Sequence, residues 1–161
     1  MNKPAITTIG LLTLIATARA DAPSLKEGFW SVHQVTIDNP GNKVTDAHYS
    51  ICRNHAYDHH IESAAKNPAC TFTTDTMQGD KHITAGTCKI RDTTITTKST
   101  STYLGDTAVH VESDSTYAPA FIGHTQETMV MDFKYVGACP AGIQPGDRVA
   151  SDGSVLHLWK Q

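Results

Sequence analysis

Cys70 and Cys88 stand equally far from Gly79. The residues between them are Thr71-Phe72-Thr73-Thr74-Asp75-Thr76, then Met77-Gln78-Gly79-Asp80, then Lys81-His82-Ile83-Thr84-Ala85-Gly86-Thr87. That order reads as strand, turn and strand, with Gly79 supplying the unusual backbone angle. In a hairpin centred on Gly79, Cys70 faces Cys88 and the next pair on the same face is Phe72 with Gly86. Directly opposed Cβ atoms lie about 4.5–5.5 Å apart, close to disulfide reach. An aromatic ring laid over a cross-strand glycine is a recurrent way to cover bare backbone. One register thus explains two pairs and calls for an antiparallel β-structure.

Disulfides need an oxidising compartment, and the N-terminus addresses that requirement. Met1-Asn2-Lys3 gives a short positive start, an apolar stretch runs from Ile9 to Ala16, and Ala18-Arg19-Ala20 has the A-x-A form read by signal peptidase. Residues 1–20 are therefore expected to be a signal peptide cut before Asp21, with residues 21–161 forming one disulfide-bonded β-domain. The apolar stretch is shorter than the roughly 20 residues a bilayer span needs, and no later segment approaches that length. Loss of Lys3 and Arg19 would take the formal charge from −3 to −5. The expectation is an exported, periplasmic or secreted, acidic chain. It has no Lys/Arg cluster to meet a phosphate backbone, which argues against nucleic acid as a partner.

In that compartment Cys52, Cys70, Cys88 and Cys139 read as two disulfides. Four cysteines allow three pairings. The hairpin register favours Cys70–Cys88, and Cys52–Cys139 follows by elimination. A zinc site built on cysteines would want C-x2-C spacing, and no such pair is present.

The rest of the sequence is rich in β-formers. There are 22 threonines, and a β-branched residue fits a pleated strand. Phe29–Ile37 leads to an Asp38-Asn39-Pro40-Gly41 turn, and a second strand covers Val44–Arg53. Asn54 can cap a short helix running to about Lys66, ended by Asn67-Pro68. Further strands follow at Thr93–Tyr103 and Ala108–Tyr117. In the last one Met129, Met131, Phe133 and Tyr135 share a core-facing side. The tail, with turns at Pro145-Gly146-Asp147 and Asp152-Gly153, is expected to add a small hairpin. The fold class is mainly β: a single antiparallel meander of about seven strands, curled or barrel-like, with one short helix and two disulfides.

The order of these features resembles a family of small exported bacterial proteins grouped as domain of unknown function 3617. The resemblance begins at Lys26-Glu27-Gly28-Phe29-Trp30-Ser31-Val32. It continues through Cys52, Cys70 and Cys88, and closes at Tyr135-Val136-Gly137-Ala138-Cys139-Pro140 followed by Pro145-Gly146-Asp147. Glu27 stands where the family usually has proline, and Phe29 where it has leucine. The resemblance implies a periplasmic, disulfide-bearing β-domain and carries no activity with it.

Motifs for catalysis are missing: there is no G-x-S-x-G elbow, no phosphate-cradling glycine loop and no H-E-x-x-H. With all four cysteines bridged, no thiol is left as a nucleophile. The chain is expected not to be an enzyme and to need no cofactor. The densest polar cluster is His55-Ala56-Tyr57-Asp58-His59-His60-Ile61-Glu62. On a helix His55 and His59 lie one turn apart, and Asp58 or Glu62 could join them around zinc or copper. The alternative there is a solvated helix face. Thr93–Thr102 is polar on both faces except at Ile95, so it reads as an edge or strongly exposed strand, or one lining a hydrated concavity. Taken together, these features lead to the expectation of a non-catalytic binding or interaction domain of the cell envelope. Its partner would be an envelope protein or a small ligand. The alternatives are a histidine-based zinc or copper binder and a structural envelope protein.

Overall fold

The computed structural model describes residues 22–65 and 68–159. The leader assigned to residues 1–20, and the helix end at Lys66 and Asn67, lie outside them. Strands β1 (Gly28–Asn39) and β2 (Lys43–Arg53) form a hairpin, followed by helix α1 (His55–Ala65). Strands β3 (Cys70–Gln78), β4 (Lys81–Ile90), β5 (Thr93–Tyr103), β6 (Ala108–Phe121) and β7 (His124–Gly137) then run as consecutive hairpins. Two short strands, β8 (Asp147–Ala150) and β9 (Val155–His157), end the chain.

All strands pair antiparallel in one sheet of order β3-β4-β5-β6-β7-β1-β2-β8-β9. The fold class read from the sequence is found, with nine strands rather than about seven, because the tail hairpin supplies β8 and β9. The sheet stays open, since β3 and β9 are its two edges and do not pair with each other. The meander is also interrupted: β7 docks on β1, which puts the first strand in mid-sheet. β5, read as an edge or strongly exposed strand, lies between β4 and β6. Its threonines are tolerated there because the core does not extend beneath most of β5, whose residues after Thr93 are exposed or half-buried.

Both bridges are present, Cys52–Cys139 and Cys70–Cys88. Cys70 pairs with Cys88 and Phe72 with Gly86. The turn, however, is the two-residue Gly79-Asp80 between paired Gln78 and Lys81, not one centred on Gly79. Gly79 has φ 64°, the first-position geometry that a type II′ hairpin asks of glycine. A bulge between Phe72 and Thr74 absorbs the difference and restores the expected register at the cysteines. Gly86 is required at its position: a Cβ there would lie 2.6 Å from the Thr71 carbonyl oxygen.

The core sits where β2, β1 and β7 meet α1. Trp30, Val32, Ile51 and Tyr57 are buried, with Leu25, Tyr49, Met131, Phe133, Tyr135 and Trp159 packed against them. Met131, Phe133 and Tyr135 thus face the core as their alternation indicates. Trp30 is fully buried and donates its Nε1–H to the Lys26 carbonyl at 2.9 Å, satisfying its one polar group. Asn54 caps α1 by accepting the Tyr57 N–H at 2.8 Å. Tyr57 carries the helix onto the sheet, its ring 5.8 Å from that of Trp159.

The tail is tied down by Pro145-Gly146-Asp147. Gly146, at φ 90°, donates its N–H to the Cys52 carbonyl at 2.9 Å, and a Cβ there would run into Trp159. Asp147 is 1% exposed. Its Oδ2 accepts the Gln144 N–H at 2.8 Å, and its Oδ1 lies 2.6 Å from His157 Nδ1. Burial pushes the Asp147 carboxyl up, but the Gln144 N–H and His157 outweigh it and hold the group below its ordinary value. Among the described residues no helix is long and apolar enough to cross a membrane.

Candidate functional site

Alternation along each strand sends neighbouring residues to opposite faces. On β1 it turns Trp30 and Val32 to the core and Ser31 and His33 to the other face. The register then aligns polar residues across four strands. His33 pairs with His48 on β2 and with Asp132 on β7, and Asp132 pairs with His110 on β6. Asp46 and Glu112 flank this row, two residues from His48 and His110 on their own strands.

The row is closely connected. His33 and His48 stack with ring centroids 4.2 Å apart and planes within 1°. The Asp46 Oδ1 lies 2.9 Å from His33 Nε2 and 3.5 Å from His48 Nε2. One ligand-capable atom from each of His33, Asp46 and His48 lies within 4.8 Å of the others. Farther along, Asp132 Oδ1 is 2.7 Å from His110 Nδ1, and Glu112 Oε1 is 3.7 Å from His110 Nε2. The hydrogen bond to Asp132, with Glu112 adding to it, raises the His110 pKa above its ordinary value.

Beside the histidines lies an open depression of about 500 Å³. Ser31, Ser50, Asp132, Lys134 and Val149 contribute to its walls together with His33 and His48. Phe29, Val32, Tyr49 and Ala150 line it as well, so its surface is mostly apolar, with hydroxyls, a cation, a carboxylate and imidazoles set among it. Such a surface can hold a small ligand with an apolar body and a few polar groups, or an ion by its nitrogen and oxygen donors.

Of the residues singled out on α1, His55, Asp58 and His59 have other partners, and Glu62 is exposed. The Asp58 Oδ1 accepts the Arg53 Nε–H at 2.9 Å. His55 Nε2 lies 3.0 Å from Ser24 Oγ, and its Nδ1 is 3.3 Å from Glu27 Oε1. His59 Nδ1 lies 3.5 Å from Ser63 Oγ. His60 stacks on Trp159 with centroids 5.6 Å apart. The group of three potential ligands that forms among the described residues is the sheet set His33, Asp46 and His48, not a set drawn from His55, Asp58, His59 and Glu62. Sequence reasoning missed it by testing helical spacing alone. The signal was Asp46-Ala47-His48 and His110-Val111-Glu112 within strand-like runs, where residues two apart share a face.

The family model described as "Protein of unknown function (DUF3617)" matches residues 25–139. Comparison with curated proteins and with solved structures found no match.

Proposed function

The chain belongs to the DUF3617 family, and on that footing we propose that it is a non-catalytic binding domain exported to the oxidising cell envelope. Its ligand seat is the polar face of β2, β1 and β7 beside β8. The observation that carries this reading is the aligned row of His48, His33, Asp132 and His110 next to the open depression. Export is supported by the leader-like residues 1–20 and by the two disulfides. A non-catalytic role is supported by the cysteines, which are paired in bridges and leave no free thiol among the described residues. The ligand that fits is small and amphipathic, with an apolar body to lie against Phe29 and Val149 and polar groups to meet Lys134 and Asp132. A second reading, a histidine-based zinc or copper binder, is favoured by the convergence of His33, Asp46 and His48.

Native mass spectrometry of the untagged protein, exported to a bacterial periplasm, tests the proposal. The expected mass lacks the first twenty residues, lies about 4 Da below the reduced value for two bridges, and includes a retained organic adduct. Ser50→Trp, which fills the depression, is expected to release that adduct. A bare protein in every preparation would overturn the ligand reading and leave a structural envelope role.

A further inference from the structure

We propose that His33, Asp46 and His48 form a site for one divalent transition-metal ion, copper(II) held more tightly than zinc. The inference deepens the binding reading by placing an ion on the same face, and it rests on that reading only for the face's role in binding.

The backbone makes the site. His33 and His48 are direct cross-strand partners in β1 and β2, and Asp46 is the next residue on the same side of β2. Three donors are thereby fixed by a hairpin whose register spans eleven residue pairs from Gly28↔Arg53 to Asp38↔Lys43. Both Nε2 atoms lie close to a single oxygen, Asp46 Oδ1, at 2.9 and 3.5 Å. Metal–ligand bonds of about 2.0–2.1 Å imply neighbouring donors about 2.9 Å apart in a square arrangement and about 3.3 Å apart in a tetrahedral one. The His33–Asp46 separation falls in that range and the His48–Asp46 separation is slightly longer. Because the two rings are stacked in parallel planes 4.2 Å apart, one exposed imidazole must turn about its χ2 for both in-plane lone pairs to meet on one ion.

The donor set also selects the ion. Two imidazoles and one carboxylate suit copper(II) or zinc, and the general order of divalent affinities favours copper. A hard ion such as magnesium or calcium would want more oxygens than Asp46 supplies. Side chains 41%, 59% and 67% exposed for His33, Asp46 and His48 leave coordination positions open to water or to a ligand seated in the depression. Asp132, opposite His33 on β7, adds a second negative charge nearby.

The test is a competition titration of the untagged, oxidised mature protein against a chromophoric chelator, using copper(II) alone and zinc alone. One equivalent is expected to bind. The His33→Ala/His48→Ala double variant should bind at least about 100-fold more weakly, and Asp46→Asn about 10- to 100-fold more weakly. The His55→Ala/His59→Ala variant should match the parent within about twofold. With copper, electron paramagnetic resonance should show coupling to two imidazole nitrogens that is lost in His33→Gln/His48→Gln. Circular dichroism checks that these variants keep the sheet. Unchanged affinity in the sheet variants, or loss in the helix variant, would overturn the site. Failure here with an organic adduct still retained in the metal-free protein would sink the ion site alone and leave the ligand reading standing.

Discussion

Replacing Asp147 with alanine is expected to loosen the whole C-terminal hairpin. The carboxylate is buried and joins two points of the chain, Gln144 and His157. A hydrogen bond to a charged group contributes about 1.5–3 kcal/mol when water cannot replace it. The Gln144 N–H loses most of that, whereas the His157 side chain is 60% exposed and regains water. The predicted loss for Asp147→Ala is therefore about 2–3 kcal/mol. Asp147→Asn keeps an acceptor for Gln144 and should lose about 1 kcal/mol. Urea unfolding of oxidised protein, followed by tryptophan fluorescence, measures both. Trp159 packs beside Gly146, adjacent to the substitution. With a slope of about 2 kcal/mol per molar, the Asp147→Ala midpoint should fall by about 1 M. The folded protein holds this carboxyl below its ordinary value of 3.8. Its contribution is therefore full above about pH 4 and is lost as pH falls through the depressed value. The gap between parent and variant should close in acid. A variant within about 0.5 kcal/mol of the parent at pH 7 would refute the reasoning.

Three other outcomes are expected. Cys52–Cys139 closes a separation of 87 residues and Cys70–Cys88 one of 18. Double alanine replacement should therefore cost about 4–5 kcal/mol for the first bridge against about 3 for the second, and a reversed order of urea midpoints would contradict the loop-entropy argument. Glu127 is opposite Asp38 across β1 and β7, and its pKa is raised first by burial and then by the Asp38 charge. Glu127→Gln should raise stability at neutral pH by up to about 1 kcal/mol, and thermal melts should show the gain vanishing below about pH 4, where both states carry the proton. His110 should titrate above 6.5 in a proton NMR series and move down in Asp132→Asn. The stabilisation from this exposed pair is complete below the unfolded value near 6.5 and is lost as pH rises through the raised one.

What the sequence disclosed follows the range of its signals. Alternation at Met129–Tyr135, the threonine-rich runs and the Asn54 cap are local, so strands and helix were legible from a few residues each. The Cys70–Cys88 bridge was legible although the turn was misplaced by half a residue, because the bulge near Thr73 cancels the error at the cysteines. The place of β1 between β2 and β7 was not legible, since nothing near Phe29 names a partner at Gly137. The polar row was hidden for the same reason. His33, His48, His110 and Asp132 become neighbours through strand pairing, whereas the histidines of α1 are adjacent in the chain and drew attention by density. The strand spacing of Asp46 with His48 was the available clue.

The central position of β1 sets the order in which the sheet can be completed. A chain delivered N-terminus first can zip β1 to β2 at once, since the two are joined by a short turn. The other edge of β1 must wait for β7, whose contact at Gly137 closes a loop from Phe29 across most of the chain. Until then that edge offers a row of unpaired amides and carbonyls that any extended segment could capture. Local hairpins in β3 to β7 can form during the wait, but the step that joins them to β1 carries a long loop-closure entropy and should dominate the refolding time. The Cys52–Cys139 bridge ties β2 to the segment just past β7 and so locks that step once it has occurred.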